Sequence, residues 1–197
     1  MPKIVDHDER RDEIVFAAVR IIARQGLEAA TVRSIAAEAG YSSGVLDHYF
    51  RGKDDILVKA LEASHRRIKM RWRKLLRGRR GFDALRRLLL DNLPTDAQHR
   101  DETRLEMQFW ARSAGDVELT TVLQREAAVF RRTVIRYVEE AVADADLPAG
   151  TDAAETAERL LALMDGISVR AVNEPRKFPA RRQVGMMESA LEGLQTR

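Results

Sequence analysis

"TVRSIAAEAGYSSGVLDHYF", residues 31–50, sets two short apolar rhythms around one glycine turn and closes on an aromatic pair. Val32, Ile35, Ala36 and Ala39 recur at spacings of three and four, one stripe of a helix, and Gly40 ends it. Thr31 stands where an N-cap belongs, and Ser42 is placed to cap a further helix running through "SGVLDHYF", with Leu46 and Phe50 turned inward. Helices this short are not stable alone in water, so each has to bury its stripe on a partner. Residues 9–25 supply one, with Ile14, Ala17, Ala18, Ile21 and Ile22 on its inner face and Gly26 as its stop. One short helix is then left to face something else. Its outward set, Ser43, Gly44, Asp47 and His48, is short and mostly polar, as suits side chains that read base edges in a major groove. The pattern is a helix-turn-helix.

Working outward, a fourth helix opens at "RGKDDIL", with Asp54 and Asp55 in its first turn, where carboxylates suit the positive end of the helix dipole. Ile56, Leu57, Ala60, Leu61, Ile68, Trp72 and Leu75 keep helical spacing beyond it. The segment from Gly78 to Gly81 is the first boundary; helices follow near 82–93, 100–114 and 116–145, then 152–173, and a last one from Pro179 to about 194. Period-two runs, repeats and low-complexity segments are missing. The expected fold is all-α, a nine-helix two-domain protein. A three-helix module occupies 1–55, the fourth helix links it as far as about 77, and 56–197 forms a helical bundle.

With 45% hydrophobic and 33% charged residues, this is the balance of a soluble helical protein. The absence of cysteine excludes a disulfide scaffold, a thiol nucleophile and a Cys-ligated zinc site. No apolar stretch follows "MPKIVDHDERRDE" and no run approaches a membrane span, so a cytoplasmic protein without a membrane partner is expected. His65 and His99 stand alone in sequence, no cluster has metal spacing, and nothing calls for a cofactor. Asp47 and His48 are neighbours on a helix and point about 100° apart, so they form no catalytic dyad. Residues 1–80 hold 18 Lys and Arg against 11 Asp and Glu, while 81–197 hold 16 against 20. A basic head on an acidic helical body suits a polyanion partner at one end and ligand or dimer work at the other. "KIVDHDERR" reads as a partly ordered arm whose Arg10 and Arg11 reach phosphates or are simply solvated.

"GLEAATVRSIAAEAGYSSGVLDHYFRGKDDIL" carries a G-x-x-x-x-T-V-x-x-I-A-x-x-A-G-x-S-x-G lead followed by H-Y-F, a lysine and a leucine. On these positions residues 9–57 resemble the DNA-binding region of the TetR family of repressors. A weaker similarity, in "MQFWARSAGDVELTTVLQRE" and "LLALMDGISVRA", points to its BetI-type subgroup. The resemblance implies that Thr31, Tyr49 and Lys53 touch the phosphate backbone of double-stranded DNA, with Ser42 beside them. It places Arg33, Ser43, Gly44, Val45 and His48 at base or groove contacts. Arg33 is suited to guanine and Val45 to a thymine methyl. Asp47 departs from the family's usual uncharged residue; it either accepts from a cytosine amine or holds Arg33 or Arg51 in place.

The same resemblance implies that the C-terminal part binds a small-molecule effector and forms a homodimer on a pseudo-palindromic operator. Trp72, Met107, Phe109, Trp110, Phe130, Tyr137, Met164 and Asp165 offer aromatic and soft walls with one acid, a ligand pocket or equally ordinary core. Such a set suits a quaternary ammonium, whereas Arg112 and Arg170 suit an acidic ligand. Leu160, Leu161, Met164, Ile167 and Ala171 on one helix, with Val184, Met187, Leu191 and Leu194 on the next, would double into a four-helix dimer interface. Otherwise that face packs on the protein's own body. The expectation is a ligand-released repressor rather than an enzyme; a DNA-binding protein with a filled, ligand-free core is the alternative.

Overall fold

Gly26 lies at φ 91°, a left-handed backbone that stops the first helix, and its N–H still reaches the Ile22 carbonyl. The computed structural model describes residues 7–195. Among these residues the chain is helical and has no strand. Its elements are α1 (His7–Gln25), α2 (Val32–Ala39), α3 (Ser43–Leu46), α4 (Lys53–Leu75), α5 (Gly81–Asp91), α6 (Ala97–Ser113), α7 (Val117–Ala143), α8 (Ala153–Asn173) and α9 (Ala180–Gln195). One 3₁₀ turn, Leu27–Ala29, lies between α1 and α2.

Two elements differ from the sequence reading. The expected arm lies partly in residues 1–6, outside the described residues, but His7 to Arg11 are the opening turn of α1. The third helix was expected to reach Phe50, yet α3 ends at Leu46. His48 N–H and Tyr49 N–H bond to the carbonyls three residues back, Val45 and Leu46, and so tighten the chain into a turn. Gly44 and β-branched Val45, both weak helix formers, hold the middle of this short element.

The chain divides into two compact units. One gathers residues up to Ile68 with Arg104–Leu123; the other gathers Lys69–Thr103 with the chain from Gln124 onward. The motif suggested a cut near residue 55, but Leu57, Ala60 and Leu61 of α4 share a core with Ile14, Ile22, Ile35 and Leu46. Leu105 and Phe109 of α6 and Leu119 of α7 join the same core. Three short helices alone would bury too small a fraction of their surface.

The second unit is built on Leu85, Leu88 and Leu89 of α5, Val134, Val138 and Ala141 of α7, Leu160 and Ile167 of α8, and Met187 and Leu191 of α9. This changes the reading of the expected dimer face. Leu160, Ile167, Ala171, Met187 and Leu191 are all buried within the chain itself. An apolar stripe at helical spacing serves a core as well as an interface, and here α5 and α7 occupy it. Leu161, Val184 and Leu194 remain half-buried, and Val169 and Met186 are exposed.

The cap of α2 gives a direct check on this local reading. Replacing Thr31 with Ala is expected to lower unfolding free energy by about 1 kcal/mol, as read from urea denaturation midpoints. No change would mean that Thr31 does not cap the helix in solution.

Candidate nucleic-acid interface

Thr31 and Ser34 close a reciprocal cap on α2. Ser34 N–H donates to Thr31 Oγ1 at 3.1 Å, and Thr31 N–H donates to Ser34 Oγ at 2.9 Å. Gly40, at φ 79°, turns the chain at the other end. Leu46 and Phe50 are buried, which anchors α3 and its following turn from below. Ser43, Gly44, Asp47 and His48 are left exposed on the outer side, with Val45 half-buried among them. Ser42 occupies the N-cap position with its hydroxyl making no cap bond. Thr31 and Arg33 are exposed on α2, while Tyr49 and Lys53 are half-buried. Arg20 of α1 donates to Glu38 of α2 at 2.7 Å. That bond holds the Glu38 carboxyl below its ordinary pKa. The tie is therefore in place above the usual carboxylate range and fades as pH falls through the lowered value.

The opening turn of α1 lies across the aromatic residues that bracket α3. The His7 ring is 4.5 Å from the Tyr49 ring, Arg10 lies 5.9 Å from the Tyr41 ring centre, and Arg11 lies 5.4 Å from that of Phe50. The Tyr41 hydroxyl donates to Glu13, a bond that raises the phenol's pKa. Sequence reasoning missed this layer, because contacts spanning some thirty to forty residues leave no local period.

The later half of α6 is fastened to the same unit. Leu27 N–H donates to Gln108 Oε1, and Arg112 donates to Asp54 at 2.6 Å. His65 Nε2 lies 2.8 Å from Glu106 Oε2, and Trp110 Nε1–H donates to Glu106 Oε1 at 3.2 Å. The histidines that stood alone in sequence thus have carboxylate neighbours; in the second unit His99 Nδ1 is 2.7 Å from Asp96. Among the described residues no group of His, Asp and Glu is arranged to hold a metal ion.

The candidate effector residues are divided. Met107 and Trp110 belong to the first unit, and Trp110 keeps 45% of its surface exposed. Trp72, Phe130, Tyr137, Met164 and Asp165 belong to the second. There Trp72 stacks on Phe130 at 5.0 Å and donates through Nε1 to Asp91 at 3.1 Å. Arg71 bridges Asp91 and Glu102, at 2.9 Å from each. Arg136 lies 4.1 Å over the buried Tyr137 ring. Met164 and Asp165 are half-buried. The arginines suited to an acidic ligand are engaged within the chain, Arg112 by Asp54 and Arg170 by Glu174 and the Phe178 ring. A separate cleft of about 250 Å³ lies between α1 and α4, walled by Arg11, Asp12, Val15, Lys59, Glu62 and Arg66. Its opposed charges largely cancel.

A capped helix, a glycine turn and a short helix with a polar outer face, all set on a longer first helix, define a helix-turn-helix regulator. The comparisons agree. Residues 14–60 match the profile of bacterial regulatory proteins of the tetR family, and residues 82–196 match that of the BetI-type transcriptional repressor C-terminal domain. The transcriptional regulator PksA of Bacillus subtilis is 31% identical, covering 89% of this chain and 84% of its own. BetI of Burkholderia lata is 30% identical over 86% of each chain. Among solved structures, a putative transcriptional regulator from Saccharomonospora viridis in complex with choline superposes with a TM-score of 0.88. It is 26% identical, with 94% of this chain and 96% of the other covered. The chain belongs to the TetR family of transcriptional regulators, with a BetI-type C-terminal domain. Its relatives are transcriptional regulators.

Proposed function

We propose that this protein is a homodimeric repressor that sits on a pseudo-palindromic operator and is released by a small-molecule effector. The observation that carries the reading is the exposed set Ser43, Gly44, Asp47 and His48, held outward by buried Leu46 and Phe50 beside a capped α2. Phosphate contacts from Thr31, Tyr49 and Lys53 position the head, and Arg33, Ser43, Gly44, Val45 and His48 meet base edges or the groove. The open surfaces of α8 and α9, with Leu161, Val169, Val184, Met186 and Leu194, supply the dimer contact. A two-fold axis then sets two heads against half-sites one or more helical turns apart. No helix among the described residues is long and apolar enough to cross a membrane, which is compatible with work on DNA in the cytoplasm.

The effector reading draws on the choline-bound relative and on Trp72, Met107, Trp110, Phe130, Tyr137, Met164 and Asp165. Two contacts argue against a quaternary ammonium caged by the aromatics of the second unit: the Tyr137 face already carries Arg136, and Trp72 is stacked on Phe130. Trp110 is the more accessible aromatic, with Glu106 beside it as an acid. Release requires that the ligand prefer one spacing of the two heads, and α4, which contributes to both compact units, is the element that would carry the change.

The test is binding of the purified protein to DNA flanking its own gene at two salt concentrations, with and without choline. Specific binding should fall steeply with salt. Arg33→Ala should lose about 1–3 kcal/mol of discrimination at one base pair. Tyr49→Ala should weaken all sites alike and leave the salt slope nearly unchanged, since a neutral phenol releases no counterion, whereas Lys53→Ala should lower that slope by about one. Absence of binding there and in random-site selection would sink the reading.

A further inference from the structure

Asp47 is the one carboxylate between residues 31 and 55 without a hydrogen bond or ion pair among the described residues. Glu38 is bonded to Arg20, Asp54 to Arg112, and Asp55 accepts the Arg51 N–H at 3.0 Å. The Arg51 guanidinium lies 3.9 Å from Asp55, and among the described residues neither it nor Arg33 makes an ion pair with Asp47. Asp47 is exposed, has helical backbone angles (φ −63°, ψ −21°), and follows α3 on the side that carries Ser43, Gly44 and His48.

We propose that Asp47 reads a cytosine at one fixed position of the recognised site by accepting a hydrogen bond from its N4 amine. The inference rests on the DNA-binding reading above. A free carboxylate brought to a duplex is repelled by the phosphates, and a donor in the groove offsets that repulsion. The major-groove edge of guanine offers two acceptors, and that of thymine an acceptor and a methyl. Adenine offers its N6 amine beside the N7 acceptor, which repels a carboxylate. Cytosine alone presents a donor amine with only a C–H next to it. The same charge weakens binding to every site that lacks the cytosine, so Asp47 sharpens specificity through repulsion as well as attraction.

Random-site selection with the full-length wild type, Asp47→Ala and Asp47→Asn tests this. The wild type is expected to enrich a site with one position fixed as cytosine. Asp47→Ala should lose the preference at that position, by about ten-fold or more, and keep the rest of the site. Asp47→Asn should move the preference toward adenine, whose N6 and N7 an amide can bridge. In the wild-type site, N4-methylcytosine at that position turns a methyl group into the major groove in place of the free amine hydrogen. It should weaken the wild type by a similar factor and leave Asp47→Ala unaffected. Identical sites selected by wild type and Asp47→Ala would overturn the assignment while leaving the regulator reading intact. Failure of the wild type to enrich any sequence would overturn both. Asp47 is exposed, and circular dichroism of each variant confirms that the fold is retained.

Discussion

Phe109→Ala is expected to cost about 3–5 kcal/mol of stability and to remove operator binding, although Phe109 lies far along the chain from the reading face. Its ring is fully buried in the core that also holds Ile14, Ile22, Ile35 and Leu46, so its loss opens a cavity beneath the helix-turn-helix. Around it, Gln108 satisfies the Leu27 N–H and Arg112 pairs with Asp54, so loosening α6 also disturbs two polar ties to the head. Urea unfolding followed by circular dichroism measures the first effect, and binding to a fixed operator fragment measures the second. A loss below about 1 kcal/mol would show that α6 is not an integral part of this core in solution. Phe109→Leu, which keeps much of the volume, should recover most of both.

The second large effect is at Leu46. Among the four residues of α3 it is the buried one, and so short a helix has no stability of its own. Leu46→Ala should cost about 2–5 kcal/mol globally. Locally, the amides that bond to the carbonyls of Ser42, Val45 and Leu46 should lose hydrogen-exchange protection before the rest of the unit. DNA binding should therefore fail at temperatures where far-ultraviolet circular dichroism still reports a folded chain. If binding and global unfolding fail together, α3 is held by more than Leu46 and Phe50. Leu46→Met, close in volume, is expected to lose less than about 1.5 kcal/mol.

Much of this protein was legible in its residues because the signals are local. Thr31 before an apolar period, Gly40 after it and paired Leu46 and Phe50 are local signals, and the structure places them as a cap, a left-handed turn and two buried anchors. The histidines read differently. His65 meets Glu106, 41 residues away, only once the helices pack, whereas the partner of His99, Asp96, stands three residues before it and was a local signal that the metal-spacing search passed over. The first turn of α1 was read as an arm, since nothing nearby in sequence reveals that His7, Arg10 and Arg11 lie against Tyr49, Tyr41 and Phe50.

The sequence by itself determined the helices, their ends apart from the start of α1 and the end of α3, the outward polar set of the reading head and the family they belong to. Each of these follows from spacing, capping chemistry and backbone freedom within a few residues. Only the tertiary structure decided which apolar stripes are core and which aromatic faces are still open. A helix period shows that one face is apolar, not what covers it. α5 and α7 cover Leu160, Ile167, Met187 and Leu191; Arg136 covers Tyr137, and Phe130 covers Trp72. Among the described residues Asp47 has no partner, while the backbone N–H of Arg51, four residues along, is bonded to Asp55.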